Sequence, residues 1–185
     1  MKQHIEQLFK KYIVNNKNTD ENLFYVNDLS KTSLIEADLE SANFNRFNLR
    51  EANLSKAFLY KADFGYANLK KATFKEAQMW FVDLGQANLE EANLEEANLK
   101  NAYLWKANLS LANLQKAYLK NANLVQANLW RADLRYADLR GTNLQGTILK
   151  AVRIDRAKYN HQTIFPKDFD PINSGMMLQK NEVTI

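Results

Sequence analysis

A solenoid is the fold class that the sequence predicts, and a five-residue period carries that prediction. Leu or another large apolar residue stands at every fifth position from Leu29 to Ile164, which gives 28 units without a gap. Ala occurs two residues earlier in 20 of these 28 units, and the residue between the two is mostly Asn or Asp. The unit is therefore Ala, then Asn or Asp, then Leu, followed by two variable residues.

A period of five residues does not suit a straight helix or a straight strand. Five steps advance a helix by about 500°, and on a strand successive Leu residues would alternate between faces. A chain that bends the same way once per unit buries every Leu and its preceding Ala. Asn and Asp suit such bends, because their side chains bond to nearby backbone and tolerate left-handed or bridge-region conformations. We therefore expect Asn and Asp to shape the corners.

The repeat resembles that of the pentapeptide-repeat proteins over residues 27–166, as in Ala92-Asn93-Leu94 and Ala132-Asp133-Leu134. The resemblance implies an all-β fold, a right-handed quadrilateral β-solenoid with four units per coil and about seven coils. Residues 20 positions apart would then stack in columns. One such column, expected to form a structural ladder of amide hydrogen bonds, holds Asn48, Asn68, Asn88, Asn108 and Asn128.

The flanking segments are predicted to cover the two ends of the solenoid. In residues 1–26, apolar residues at helical spacing predict an amphipathic helix over 3–15. This helix either caps the first coil or docks on a partner or a second copy, which would give a homodimer through a terminal cap. A segment lying on a membrane surface and a disordered segment are the remaining alternatives. Residues 167–185 leave the repeat through Pro166 and Pro171 and resemble the C-terminal segment of cyanobacterial members of the family.

Length and composition exclude several classes of protein. The chain has 185 residues, 46% of them apolar, which suits one globular unit with a buried core. Cysteine is absent, so disulfides, thiol catalysis and thiolate metal sites are excluded. No apolar run approaches the roughly 18 residues of a membrane span, and no signal peptide is recognisable. We expect a cytoplasmic protein with no membrane partner.

The residues that usually carry catalysis are scarce. His4 and His161 are the two histidines, and no glycine-rich phosphate loop is present. The carboxylates Asp28, Asp38, Asp63, Asp83, Asp133 and Asp138 all occupy the bend position of the unit. That position accounts for them structurally. We therefore expect no enzyme, no catalytic residues, no cofactor and no metal site.

Aromatic side chains outside the core positions indicate a partner-binding surface. In the four-sided coil, one face would hold Phe58, Tyr60, Trp80 and Phe81, and the next would hold Tyr66, Tyr103 and Trp105. Exposed Tyr and Trp are enriched in the parts of interfaces that dominate binding energy. Coverage of these rings by the N-terminal segment and exposure without function are the two alternatives.

Charge is distributed unevenly along the predicted rod. Residues 27–96 carry 8 basic and 12 acidic side chains, whereas residues 97–164 carry 11 and 3. Lys100, Lys120 and Arg140 should stack in one column, beside Lys116, Arg135 and Arg156 on the adjacent face. Like charges one strand spacing apart repel, so an anionic partner, either nucleic acid or an acidic protein, would relieve them. Solvated surface charge is the simpler interpretation.

The leading functional hypothesis is a non-enzymatic scaffold that binds an unidentified protein. Some proteins that the chain resembles mimic DNA and bind type II topoisomerases, and they do so with acidic rods. This chain departs from that pattern, because its net charge is +4 and its C-terminal half is basic. Nucleic-acid binding through the basic half is the alternative, and it would be nonspecific. The likeness of the tail to cyanobacterial members favours a regulatory adaptor role by analogy with the family.

Overall fold

In a computed structural model, which describes residues 27–180, the repeat forms a four-sided coil with 20 residues per turn. Parallel β-bridges link each residue before an inward Leu to the residue 20 positions later, from Asp28 with Asn48 to Asp138 with Lys158. The stacked bridges define four faces, each with seven positions. Face 1 runs from Asp28 to Ile148, face 2 from Ser33 to Arg153, face 3 from Asp38 to Lys158 and face 4 from Asn43 to Ile164.

Backbone hydrogen bonds between neighbouring coils hold the stack together. In the first unit, the Leu29 amide donates to the Asn48 carbonyl at 2.7 Å and the Lys31 amide donates to the Arg50 carbonyl at 2.9 Å. The Asn48 amide donates back to the Asn27 carbonyl at 2.8 Å. The same three bonds recur along the rod, so most backbone groups of the inner coils are satisfied by the coils on either side.

The core consists of columns of Leu flanked by columns of Ala. Every inward large residue from Leu49 to Leu144 is completely buried, and so are most of the preceding alanines. Phe44 and Phe64 stack in the same column with ring centroids 4.8 Å apart. Burial of one such side chain contributes about 1.5 to 3 kcal/mol of transfer free energy. The prediction that Leu and Ala face inward is confirmed.

The corners are formed by the second variable residue and not by Asn or Asp. From Lys31 to Arg156 this residue has positive φ in each unit, with φ between 55° and 63° wherever it is not glycine. The Asn and Asp residues of the bend position, which were expected to tolerate left-handed or bridge-region conformations, are therefore not the left-handed residues. They lie in the bridges, and their side chains accept the amide two residues later, as Asp28 accepts from Ser30 at 2.8 Å.

The five-residue register ends one unit earlier than the sequence indicates. The corner after Tyr159 holds three residues, Asn160 to Gln162, and lacks a positive φ. Ile164 consequently takes the bridge position opposite Asn143 and is 49% exposed, so the expectation that it faces inward was wrong. Phe165 packs against the core in its place.

The extra residue, Asn160, is buried, and its side chain replaces a missing backbone contact. Its Oδ1 accepts the Gly141 amide at 3.0 Å and the Gln162 amide at 3.2 Å. In the regular coils the equivalent of the Gly141 amide donates to a backbone carbonyl. The Thr163 hydroxyl also accepts the Gly141 amide, at 3.2 Å, so two side chains together take the place of the backbone acceptor.

The tail after the repeat folds back on the last coil. Strand β1 (Lys158–Tyr159) pairs in parallel with strand β2 (Met177–Leu178). Phe165 and Phe169 stack with centroids 5.3 Å apart and pack against the core, and Met176 is buried. The tail thus covers part of the exposed C-terminal end of the core.

The predicted N-terminal helix over 3–15 lies outside the described residues. Residues 27–180 form no α-helix, and they therefore contain no helical segment with the length and apolarity needed to cross a bilayer.

Substitution of a core leucine should destabilise the rod. Leu94→Ala removes a completely buried side chain, and we expect a loss of about 2 to 5 kcal/mol in the free energy of unfolding. Urea denaturation followed by circular dichroism measures this loss. Leu111→Ala is the control, because Leu111 is 42% exposed at a corner of face 1. Equal losses in the two variants would contradict the assigned core.

A β-branched residue at a left-handed corner should also destabilise the rod. Gln126 has φ 59°, and Gln126→Val should cost about 1 to 2 kcal/mol because this conformation crowds the branched side chain. Gln145→Val, at an exposed corner position without positive φ, is the control and should change the unfolding free energy by less than about 0.5 kcal/mol. A midpoint of urea unfolding unchanged by Gln126→Val would argue against the corner geometry.

Candidate functional site

Three aromatic rings form a contiguous cluster on face 3, which we call the aromatic cluster: Tyr60, Trp80 and Phe81. The ring centroid of Tyr60 lies 5.4 Å from that of Trp80 and 6.1 Å from that of Phe81. The Lys61 ammonium lies 4.9 Å from the Tyr60 ring centroid. Phe81 is 42% exposed, whereas Tyr60 and Trp80 are half-buried. Phe58, in the same coil as Tyr60, is also exposed on this face.

Two further predicted residues, Tyr103 and Trp105, lie on the adjacent face 4. The Trp105 indole rests against Gly85 in the preceding coil, where a Cβ atom would lie only 2.7 Å from its Nε1. Glycine at position 85 therefore makes room for the ring. Tyr103 is exposed in the bridge position of the same coil as Trp105. Faces 3 and 4 together carry the seven predicted aromatic residues, with Tyr66 at the far corner of face 4.

Tyr66 does not join the aromatic cluster. It lies at the corner between face 4 and face 1, where the Arg46 guanidinium stands 5.2 Å from its ring centroid. The Gln86 side-chain amide donates to the Tyr66 hydroxyl at 2.7 Å. These contacts hold Tyr66 within a local group on the far side of face 4.

Tyr118 is an exposed aromatic residue of face 3 that the sequence interpretation missed. It lies three coils from Phe58 in the same column of bridges. The Lys100 ammonium lies 6.0 Å from its ring centroid, which places Tyr118 beside the basic column. The spacing of 60 residues from Phe58, three times the coil length, was the signal that could have identified it.

Carboxylates pair with three of the six basic side chains in the predicted columns, which reduces the repulsion between like charges there. Lys100, Lys120 and Arg140 follow one another at 20-residue steps on face 3. However, Arg140 pairs with Asp138 at 2.7 Å. On face 2, Lys116 pairs with Glu96 at 2.7 Å and Arg135 pairs with Asp133 at 2.8 Å, while Arg156 donates to the Tyr136 hydroxyl at 3.2 Å.

Glu90, Glu91 and Glu95 form an acidic cluster on faces 1 and 2, and each pairs with a lysine of the preceding coil. The pairs are Lys70 with Glu90 at 3.0 Å, Lys71 with Glu91 at 3.5 Å and Lys75 with Glu95 at 3.2 Å. Individual exposed pairs of this kind contribute about 0 to 1 kcal/mol. Their main consequence is that the outward charge of these two faces is locally neutralised.

Three aspartates of the bridge position, Asp28, Asp133 and Asp138, have lowered pKa values, and the last two are the more buried ones. Burial raises the pKa of Asp138, but hydrogen bonds from the Arg140 side chain and backbone outweigh burial and hold it below its ordinary value. Burial and the Arg135 hydrogen bonds act in the same opposing way on Asp133, with further lowering of the pKa by Arg153. Both carboxylates are therefore ionised structural groups.

Other aspartates of the bridge position also accept backbone hydrogen bonds. The Gly65 and Gly85 amides donate to Asp63 and Asp83, each at 2.8 Å. Within the described range, no three His, Cys, Asp or Glu side chains come close enough together to hold a metal ion. His161 is exposed, and His4 lies outside the described residues.

Comparisons with known proteins identify the repeat. The family model for pentapeptide repeats matches the chain in eight copies, over residues 32–65, 48–90, 81–115 and 112–150. No curated protein is significantly similar to the chain in sequence.

Two solved proteins share the fold. HetL, a pentapeptide repeat protein involved in heterocyst differentiation regulation from the cyanobacterium Nostoc sp. strain PCC 7120, is 24% identical over 92% of this chain and 90% of HetL, with a TM-score of 0.58. A trypsin-treated variant of QnrB1, a plasmid-mediated fluoroquinolone resistance protein, is 22% identical over 80% of this chain and 77% of that one, with a TM-score of 0.52. The shared fold is the right-handed quadrilateral β-helix.

Removal of the Arg140 guanidinium should raise the pKa of Asp138. In Arg140→Gln the folded pKa moves upward, so the stability contributed by the ionised pair is lost. Folding lowers the pKa of Asp138 in the wild type. The stability that the ionised pair contributes is therefore fully present above the ordinary carboxyl pKa of about 3.9, and it is lost as the pH falls through the lowered pKa.

The carboxyl carbon of Asp138, followed by NMR during a pH titration, measures the pKa directly. Urea denaturation at neutral and at acidic pH should give a stability difference between wild type and variant that shrinks as the solution is acidified. Arg131→Gln makes the same change of charge beside Trp130 and serves as the control. An unchanged Asp138 titration in Arg140→Gln would refute this assignment.

Proposed function

Because the chain belongs to the pentapeptide-repeat family, whose members are generally non-enzymatic structural or interaction proteins, we propose that it is a protein-binding scaffold. The contact surface lies on faces 3 and 4. The observation that carries this proposal is the aromatic cluster of Tyr60, Trp80 and Phe81, which is continuous and outward-facing. Phe58, Tyr103 and Trp105 extend the surface on either side.

The core of the solenoid does not require these rings. The inward columns are filled by Leu and Ala, and the equivalent outward positions in other coils hold Lys, Glu, Asn and Gln. A group of aromatic side chains left partly in contact with water supports binding, because a partner that covers it gains the transfer free energy of the remaining apolar surface. Trp and Tyr are also the residues that most often dominate interface energies.

Charge favours a protein partner over nucleic acid. Lys116, Arg135 and Arg140 each hold a carboxylate, so a phosphate would have to displace an existing ion pair to reach them. Nonspecific nucleic-acid affinity depends on the number of phosphates neutralised, and the paired side chains lower that number. Mimicry of DNA is disfavoured by the net charge of +4.

A second part of the proposal concerns the two ends of the rod. Residues 1–26 and 167–185 serve as covers for the solenoid, and a terminal cap provides a contact for a second copy. We place the scaffold in the cytoplasm as a regulatory adaptor. The paired strands of Lys158–Tyr159 and Met177–Leu178 support the role of the C-terminal segment.

Loss of the aromatic surface should abolish capture of the partner. We expect wild type, immobilised and exposed to nuclease-treated lysate of its native cell, to retain a protein that the Trp80→Ala, Trp105→Ala variant does not retain. Binding should then be reproduced with the purified partner and should weaken by about tenfold or more in the variant.

The matched control is Trp130→Ala, Tyr136→Ala, which removes two aromatic side chains from faces 1 and 2. Circular dichroism establishes that all three proteins are folded. Retention of the same material by wild type and by both variants would refute the assignment of the surface. Binding that is seen with untreated lysate and lost with nuclease-treated lysate would instead identify nucleic acid as the bound species.

A further inference from the structure

Face 3 differs from the other described faces in the chemistry of its outward positions. Between residues 58 and 121, the second to fifth coils, it carries no carboxylate, whereas the same coils of faces 1, 2 and 4 each carry at least two. Its twelve outward residues are five aromatics, three lysines and four amides: Phe58, Tyr60, Lys61, Gln78, Trp80, Phe81, Asn98, Lys100, Asn101, Tyr118, Lys120 and Asn121.

These residues are ordered along the rod. The column directly after the inward Leu of face 3 reads Tyr60, Trp80, Lys100 and Lys120, one residue per coil. With coils separated by the strand spacing of about 4.8 Å, this column extends over about 14 Å. Its N-terminal half is apolar and its C-terminal half is cationic, and Tyr118 lies beside the cationic half.

Carboxylates reappear on face 3 beyond these four coils. Asp38 and Glu40 occupy it in the first coil, and Asp138, which is paired with Arg140 at 2.7 Å, occupies it in the sixth. An acidic ligand is therefore attracted to the lysines of the four coils and repelled by the first coil, whereas the charges of the sixth coil compensate each other. The surface has the length of a short ligand segment.

We propose that face 3 binds an acidic amphipathic helix of a partner protein, lying along the rod axis. This inference rests on the proposed scaffold function and names the chemistry of its partner. One turn of an α-helix rises about 5.4 Å, close to the coil spacing of about 4.8 Å, so successive turns stay opposite successive coils. Over three turns the mismatch is about 2 Å, which a lysine side chain can absorb.

An extended strand and a single-stranded nucleic acid fit the surface less well. Side chains on one side of a strand repeat every 6.6 to 6.8 Å or so, and this spacing falls between coil positions. Bases bind exposed ring faces. The Tyr60 ring is already flanked by the Lys61 ammonium at 4.9 Å and by Trp80 at 5.4 Å, so it offers little open surface for stacking.

A peptide designed for this geometry tests the inference. The probe is a fluorescein-labelled helical peptide of about 16 residues, long enough to retain helicity, built from Ala and Gln. It carries Phe and Leu in its first turn and Glu on the same side in each later turn. A second peptide has the same composition with the Glu residues distributed around the helix. A third has Lys in place of Glu.

Fluorescence anisotropy with full-length protein should give an affinity for the first peptide about tenfold higher than for the second. The Lys100→Glu, Lys120→Glu variant should bind the first peptide about tenfold more weakly and gain affinity for the third. Lys31→Glu, Lys150→Glu makes the same charge change on face 1 and should leave all affinities within about twofold.

Equal affinity for the first and second peptides, or no effect of charge reversal on face 3, would overturn the inference. A labelled oligothymidine that binds wild type but not the face 3 variant, while the peptides fail, would overturn it in favour of nucleic acid. If the peptides fail but capture of a protein still depends on Trp80 and Trp105, only the acidic helix is rejected. Loss of that dependence rejects the scaffold function itself.

Discussion

A backbone turn in the left-handed conformation at every fifth residue is the constraint on which the rest of the structure depends. Non-glycine residues fill nearly all of these turns, from Lys31 to Arg156, at a cost of about 1 to 2 kcal/mol each. Burial of one Leu, together with its Ala and the hydrogen bonds between coils, offsets that cost. Where the turn changes, at Asn160 to Gln162, the register changes with it and the regular repeat stops.

Because every unit has the same corner, the spacing of two residues in the sequence fixes their relative positions on the surface. Residues 20 apart stack directly, so amides form hydrogen-bonded ladders, as Asn108 donates to Asn88 and Asn128 donates to Asn108, both at 3.2 Å. Lys and Glu at the same spacing form ion pairs. Residues that follow one another at steps of 20 in the sequence therefore line up on one face of the rod. The same spacing places the exposed aromatic residues on faces 3 and 4 and the Leu residues in the core.

The features that follow from the five-residue period were predictable from the sequence. The features that depend on which of several possible contacts a side chain makes were not. Inward Leu and Ala, and the outward position of Trp80 and Phe81, are set by the five-residue pattern. Which residue takes the left-handed conformation did not follow from the sequence, because Asn and Asp can stabilise a corner either by adopting that conformation or by a side-chain hydrogen bond, and here they form the hydrogen bond. The inward position expected of Ile164 failed because a single inserted residue, Asn160, supplies a side-chain oxygen where a backbone carbonyl is missing. The ion pair of Arg140 with Asp138 lies within one unit, so a comparison of like charges along the columns did not reveal it.

Stability and recognition are assigned to different parts of the repeat. The core positions and the bend-position amides hold the coils together, and the exposed ion pairs of faces 1 and 2 contribute about 0 to 1 kcal/mol each. In the second to fifth coils, faces 1 and 2 each carry three basic and three acidic side chains, whereas face 3 carries three lysines. Face 3 lacks carboxylates in its central coils, although the two variable positions of each unit accept Glu elsewhere without disturbing the fold, as Glu90 and Glu95 show. The exclusion of acid from that face is therefore not a requirement of folding, and it is accounted for by a ligand that is itself acidic.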